Sequence, residues 1–494
     1  MPKSGSALLT DLYQLNMLAA YLEHGLTETA VFELFVRKLP SRRGFLITAG
    51  IEQAVQFLET LAFTAEDLEA IHGLGQFSDR FIAYLRSFRF SGDVDAMPEG
   101  TVFFPDEPIL RVTAPLPEAQ FVETRLVNLL HFQTVIASKA ARMVLAALGR
   151  PLIDYGLRRA HGAEAGVLAA RASYIAGFSG TATVAAGLEF GIPVYGTMAH
   201  SFIQAHDDET LAFEHFAQSH PQGLVLLIDT YDTERGAGRV VALGPRLAAE
   251  GVTISGVRID SGDLGEHAAK VRRILDEGGL QTVKIVASGG LDEDALLALS
   301  RAGAPIDSYG VGTSLTTSSD APALDCAYKL QEYAGTARRK RSEGKATWPG
   351  RKQVWRWYDE RGRFACDLIS LAGERQQGEP LLCPVMRGGR RLPDLPDLTA
   401  SRARAEDQLA RLPQPLARLE TYHYPVEIGV PLRELAAALD RRSGWTSAAC
   451  RTASDRRSRR SASTAKCGSS DHRRPTLSSR PESSGSKPIS PGYF

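Results

Sequence analysis

Between residues 152 and 313 the chain repeats one cycle: a short apolar run, a polar or glycine-rich break, then an amphipathic helix. Strand-like runs fall at 152–155, 193–196, 224–229, 253–259, 283–287 and 306–309. From residue 224 they recur about every 23 to 30 residues, the length of one strand–helix unit. Strands joined by helices must run parallel, so this stretch predicts a parallel sheet, closed into a barrel or, alternatively, open and doubly wound. The intervening helices are readable too. Ala268, Ala269, Val271, Ile274 and Leu275 share one face of a helix over 265–276, and Asp292 is placed to cap another over 292–301.

The flanking segments have a different rhythm. Residues 1–115 predict a small α+β domain completed by later segments: a helix over 6–26 capped by Ser6 or Thr10, a strand over 30–38, a helix over 53–61, and short proline-broken strands over 95–115. Helical patterns fill 117–149, so the barrel domain is expected to span 116–340. Residues 341–443 predict a mixed segment, with a hairpin around Trp355-Arg356-Trp357-Tyr358 and helices over 402–411 and 431–440. From 444 to 494 serine and arginine dominate without apolar pattern, which predicts a disordered basic tail.

Charge and composition narrow the function classes. The tail carries ten Lys/Arg against three Asp/Glu, leaving 47 basic and 54 acidic groups in the rest of the chain. A mildly acidic body excludes nucleic acid as the expected partner. No apolar run is long enough to cross a bilayer, and no secretory leader is expected. Cys326, Cys366, Cys383, Cys450 and Cys467 are odd in number and widely spaced, which fits neither a disulfide framework nor a zinc site and points to the reducing cytoplasm.

In a parallel barrel the reactive groups gather where strands end. Those ends read Tyr155-Gly156-Leu157-Arg158-Arg159, Thr197 with His200, Asp229-Thr230-Tyr231-Asp232, Arg258-Ile259-Asp260-Ser261-Gly262-Asp263, Ser288-Gly289-Gly290 and Gly310-Val311-Gly312-Thr313. Ser288-Gly289-Gly290 and Gly312-Thr313 lie on neighbouring units, where glycine backbone can approach phosphate oxygens closely. Arg258 and Asp260 are two residues apart and so project to one side of their strand. They read either as ligand-binding groups or as a structural ion pair. His200 reads either as a reactive imidazole or as one tied to a backbone carbonyl.

These motifs together resemble the nicotinate phosphoribosyltransferase family over residues ~7 to ~440. The resemblance is carried by Leu9-Thr10-Asp11-Leu12-Tyr13-Gln14, Phe32-Glu33-Leu34-Phe35, Gly156-Leu157-Arg158-Arg159-Ala160 and Gly196-Thr197-Met198-Ala199-His200-Ser201-Phe202. It continues through Asp229-Thr230-Tyr231-Asp232-Thr233, Val257-Arg258-Ile259-Asp260-Ser261-Gly262-Asp263 and Gly310-Val311-Gly312-Thr313-Ser314. It implies a type II phosphoribosyltransferase architecture: an irregular, TIM-like α/β barrel with a split α+β N-terminal domain and a C-terminal segment. It also implies a homodimer with shared active sites. The implied reaction joins nicotinate to 5-phosphoribosyl 1-diphosphate, with ATP as co-substrate, Mg²⁺ as cofactor and a transient phosphohistidine at His200. By the same resemblance, nicotinate meets Tyr155, Arg158, Thr197, Arg258 and Tyr13 of the partner subunit. Phosphoribosyl diphosphate meets Arg159, Asp260, Ser288, Gly289, Gly290, Gly312 and Thr313, with Asp260 also catalytic and Asp263 a metal ligand.

Related nicotinamide enzymes carry an aspartate within Gly-Thr-Asp-Thr-Val, where this chain has Gly180-Thr181-Ala182-Thr183-Val184. An aspartate there would repel a carboxylate substrate, so Ala182 predicts nicotinate over nicotinamide. The alternatives are a nicotinamide- or quinolinate-type transferase, an aldolase-like barrel, or a non-catalytic scaffold. The aldolase reading requires a lysine at a strand end, and Lys284 lies within its strand.

Overall fold

A computed structural model of the 494-residue chain describes residues 6–442, so the expected tail at 444–494 lies outside the described residues. Six parallel strands form the central sheet, in the spatial order Gly180–Thr181, Leu152–Asp154, Ser308–Val311, Lys284–Ser288, Ile254–Ile259, Leu224–Leu227. Helices cover its outside, so both strand faces are enclosed, and Leu226, Leu227, Val257, Ile259, Ile285, Ala287, Tyr309 and Val311 are all buried. That double burial is why these strands read as unbroken apolar runs. The sheet curls into an irregular half-barrel. Among the described residues no ladder joins Leu224–Leu227 back to Gly180–Thr181.

One expected strand does not form. Within 193–196 only Val194 bridges to Thr181, and the Tyr195 N–H donates to the Thr181 carbonyl at 2.9 Å. Pro193 can only accept in this arrangement, and Gly196-Thr197 ends the run. The ladder position is held instead by Gly180–Thr181, two residues that are too short to leave a period in the sequence.

A second, seven-stranded antiparallel sheet mixes distant parts of the chain. Its order is Thr336–Ala337, Cys326–Tyr333, Thr29–Val36, Pro108–Pro115, Asp93–Ala96, Cys383–Arg387, Arg390–Arg391. Lys352–Tyr358 and Phe364–Leu371 form the Trp/Tyr hairpin of a four-stranded sheet. The first helix is Leu12–Glu23 rather than 6–26, and Asp11 occupies its N-cap position. The hydroxyl of Ser6 accepts from Leu8 N–H at 3.1 Å, satisfying a separate turn instead of capping that helix.

The helix Glu123–Ala146 runs through the core, and its buried face carries charge as well as hydrocarbon. Lys139 pairs with Glu293 and, at 2.8 Å, with Asp320; Arg142 reaches Glu293 at 3.0 Å and Arg43 reaches Asp320 at 3.1 Å. Three cations thus enclose two carboxylates. Burial opposes ionisation of Glu293 and Asp320, but the hydrogen bonds and charges of Lys139, Arg142 and Arg43 outweigh it and hold both below the usual carboxylate range. Among the described residues no helix is long and apolar enough to cross a membrane.

Candidate active site

The strand Ile254–Ile259 projects Arg258 toward the strand-end side of the sheet, and the backbone then turns at Asp260. Arg258 is the hub of what lies there. Its Nε donates to Ser288 Oγ at 2.9 Å, its Nη2 to Asp260 Oδ1 at 2.8 Å, and its Nη1 to the Met198 carbonyl at 3.5 Å. The guanidinium carbon stands 5.4 Å from the centroid of the Tyr155 ring. Because stacked layers sit about 3.5 Å apart, a flat ring inserted between Arg258 and Tyr155 requires the two to part by about 1.5 Å.

Asp260 also accepts from the Ser288 hydroxyl, and its Oδ2 stands 3.8 Å from His200 Nε2. Burial raises the Asp260 pKa, but the bonds from Ser288 and Arg258, with the Arg258 and His200 charges, more than reverse this and keep the carboxyl ionised. His200 opens the helix His200–Gln204, and its Nδ1 lies 3.1 Å from Thr230 Oγ1. The Thr197 hydroxyl donates to the same Met198 carbonyl that Arg258 contacts, at 3.3 Å. Six residues expected from sequence to act together are therefore linked by contacts: Tyr155, Thr197, His200, Arg258, Asp260 and Ser288.

Glycine makes two of these contacts physically attainable. At Gly289, with φ +96°, any Cβ would collide with the Asp260 carbonyl oxygen, so the loop can close on Asp260 only without a side chain. At Gly310 a Cβ would occupy the space of the Tyr155 ring. A Gly289→Ala change should lower stability by about 1–3 kcal/mol through strain at this junction, read as a shift in the urea unfolding midpoint. An unchanged midpoint would show that the loop relaxes without strain.

The backbone amides divide unevenly around this rim. Asp232, Asp263 and Asp292 each cap the helix that follows their strand, accepting from Arg235 N–H, from Gly265 and Glu266 N–H, and from Asp294 and Ala295 N–H respectively. Two of the helix-terminal donors after Ser288-Gly289-Gly290 are therefore already taken by Asp292. The turn Thr313–Thr316 has Gly312 at its N-cap and no side-chain cap, so its first amides have no such competitor.

Four expected residues stand outside the linked cluster. Arg158 and Arg159 lie exposed on the 3₁₀ turn Leu157–Arg159, without a side-chain hydrogen bond among the described residues. Tyr13 sits on the first helix, where burial and then the Glu123 charge raise its pKa. Asp263 Oδ1 receives two helix amides at 3.0 Å, and among the described residues no group of three or more His, Cys, Asp or Glu is arranged to hold a metal. Both cap bonds use Oδ1, and neither engages Oδ2. Lys284 opens its strand, at the end away from the cluster, and pairs with Asp307 at 3.1 Å.

Three further residues support the cluster although sequence reasoning gave them no role. Asp229 Oδ2 accepts from the Asp260 N–H at 2.8 Å and the Ser261 hydroxyl at 2.6 Å, while its Oδ1 is buried without a hydrogen-bond partner among the described residues. Thr230 meets His200. Asp154, whose pKa is raised by burial, accepts from Thr181 Oγ1 at 2.7 Å and Gly156 N–H at 2.8 Å and so anchors the segment before Ala182. Asp229 and Thr230 were legible as a strand end, but only the fold shows which side chains they face.

Comparison with known proteins places this geometry. A crystal structure of human nicotinic acid phosphoribosyltransferase superposes with a TM-score of 0.79 at 30% identity, covering 87% of this chain and 99% of that one. A nicotinate-nucleotide pyrophosphorylase from Pyrococcus furiosus follows with a TM-score of 0.68 at 26% identity, covering 83% and 96%. The split antiparallel sheet and the curled parallel sheet with its strand-end cluster define a type II phosphoribosyltransferase fold. Residues 8–131, 151–345 and 374–436 match the N-terminal domain, the family domain and the C-terminal domain of nicotinate phosphoribosyltransferase (NAPRTase). The chain is 50% identical over 425 residues to nicotinate phosphoribosyltransferase pncB2 of Mycobacterium tuberculosis (strain ATCC 25618 / H37Rv), covering 85% of this chain and 91% of that protein. It is 42% identical over 377 residues to the nicotinate phosphoribosyltransferase of Bacillus subtilis (strain 168), covering 75% and 77%. The chain belongs to the nicotinate phosphoribosyltransferase family.

Proposed function

We propose that the chain joins nicotinate to 5-phosphoribosyl 1-diphosphate, releasing nicotinate mononucleotide and diphosphate, the first step of NAD salvage from nicotinate. ATP is hydrolysed alongside, through a phosphoryl group carried on His200. The observation that supports this most directly is the contact of Arg258, Asp260 and Ser288, at neighbouring strand ends, with one another and with His200 at the start of its helix, in a chain of this family. Arg258 offers a guanidinium to the nicotinate carboxylate and a flat face to its ring, with Tyr155 and Thr197 beside it and Arg158 on the adjacent turn. Asp260 serves the ribose hydroxyls. The backbone of Gly289, Gly290, Gly312 and Thr313 meets phosphate oxygens, with Arg159 available to the diphosphate. Asp263, through the carboxylate oxygen that its helix cap leaves unused, would help hold Mg²⁺, which would offset the charge of the substrate phosphates.

The assembly proposed is a homodimer in which Tyr13 of the partner subunit completes the pocket. In support, Tyr13 is 47% exposed on its own helix, and Leu188, Val184, Tyr195 and Val194 form an apolar surface beside Gly180–Thr181 with Leu188 84% exposed. Cys326 and Cys383 carry free thiols and Cys366 is disulfide-bonded, against the expectation of no disulfide, so the cytoplasmic location we propose rests on the sparse, widely spaced cysteines of the sequence alone.

The substrate assignment is tested by comparing nicotinate and nicotinamide at saturating phosphoribosyl diphosphate and ATP. Nicotinate should be converted and nicotinamide should not; comparable kcat/KM for both would refute it. Ala182 is exposed and follows the strand that Asp154 anchors. Ala182→Asp should raise the KM for nicotinate by about tenfold, since a like charge near 4 Å costs ~1–4 kcal/mol. An unchanged KM would place Ala182 away from the carboxylate.

A further inference from the structure

We propose that Thr230 is a positioning residue for His200, holding its Nδ1 as the nitrogen that accepts the phosphoryl group; this rests on the phosphohistidine reading above. The imidazole lies between two side chains of different character. Asp260 Oδ2, on an ionised carboxylate, faces Nε2 at 3.8 Å, and Thr230 Oγ1 faces Nδ1 at 3.1 Å. A carboxylate can only accept, so its charge favours the neutral tautomer with the proton on Nε2. Nδ1 then carries the lone pair, and the Thr230 hydroxyl donates to it.

This arrangement fixes the imidazole plane from both nitrogens. It also places a hydroxyl beside the bond to be made. When the Nδ1 lone pair attacks the γ-phosphorus of ATP, the N–P bond forms and the bond from that phosphorus to the β-bridging oxygen breaks. ADP leaves with the electron pair, and the Nε2 proton stays on the ring facing Asp260. The developing imidazolium is stabilised by Asp260, and the Thr230 hydroxyl, released from Nδ1, turns to donate to a phosphoryl oxygen. Thr230 comes from the strand end after Leu224–Leu227, Asp260 from the one after Ile254–Ile259, and His200 from the segment between the sheet edges. Three separate elements thus converge on one ring.

The test compares the wild type, Thr230→Val and Thr230→Ser by rapid-quench labelling with γ-labelled ATP, with the labelled nitrogen identified by phosphorus NMR. Valine keeps the shape and removes the hydroxyl. Labelling of the valine variant should slow by about 10- to 100-fold, the effect of losing a hydrogen bond to a charged group. Its thermal midpoint and KM for nicotinate should be unchanged, and serine should restore the labelling rate. Wild-type phosphate should be on Nδ1. Wild-type labelling by the valine variant, failure of serine to restore it, or phosphate on Nε2 overturns the role of Thr230 while leaving the phosphohistidine standing. A wild type that makes nicotinate mononucleotide without taking up label overturns both.

Discussion

His200→Ala protein incubated with γ-labelled ATP should retain no acid-labile phosphate, and its ATP-dependent synthesis of nicotinate mononucleotide should fall by a factor on the order of 10³ or more. The size follows from chemistry. Neutral imidazole is the one side chain in this cluster that is strongly nucleophilic near neutrality, and Asp260 beside it is ionised and bonded to Arg258 and Ser288. The His200 side chain is 40% exposed, so its removal should change folding stability by no more than about 0.5 kcal/mol. A fall in activity with an unchanged unfolding midpoint separates chemistry from structure. Labelling of the alanine variant equal to that of the wild type would remove His200 from the mechanism.

The second large effect should come from Lys139→Met. The lysine is 1% exposed and pairs with both Glu293 and Asp320. Methionine fills much of its volume but leaves the two carboxylates with one arginine each, and breaking a buried pair in this way costs about 3 kcal/mol or more. Glu293 begins the helix after Ser288-Gly289-Gly290, so the loss should also raise the KM for phosphoribosyl diphosphate. Urea unfolding and substrate titration read the two consequences separately. The network has a pH signature as well. Glu293 and Asp320 have folded-state pKa values below their ordinary ones, so their contribution is complete above about pH 4.5 and is lost as the pH falls toward the depressed values. Acid unfolding should therefore begin at higher pH in the lysine variant. If stability at pH 7 and the acid midpoint both match the wild type, the network is not a stabilising element.

Much of the site was legible because parallel sheets bury both strand faces and release the chain at one end. Apolar runs located Ile254–Ile259 and Lys284–Ser288 to within a residue or two, and the residues after them fell into the cluster. Several features had no such signal. Gly180–Thr181 is too short for a period, and Pro193–Gly196 resembled a strand because Val194 and Tyr195 are apolar, although both are substantially exposed. The network of Arg43, Lys139, Arg142, Glu293 and Asp320 joins positions up to 277 residues apart, and in the sequence each is only a charged residue on a helix or loop. Asp263 shows the opposite difficulty. Its place in Arg-x-Asp-Ser-Gly-Asp suits a metal ligand and a helix cap equally, and the geometry shows the cap.

The missing ladder between Gly180–Thr181 and Leu224–Leu227 bears on how the protein could work in cycles. His200 belongs to the stretch that spans this gap, held by the buried side chains of Met198 and Ile203 and by packing of Phe202 on Phe216 at 5.6 Å. Arg258 and Ser288, by contrast, lie within strands whose displacement would break hydrogen bonds on both sides. If His200 carries the phosphoryl group as proposed, it could shift by sliding apolar contacts while Arg258 and Ser288 keep their register. Such a cycle on His200 would leave the barrel beneath it undisturbed.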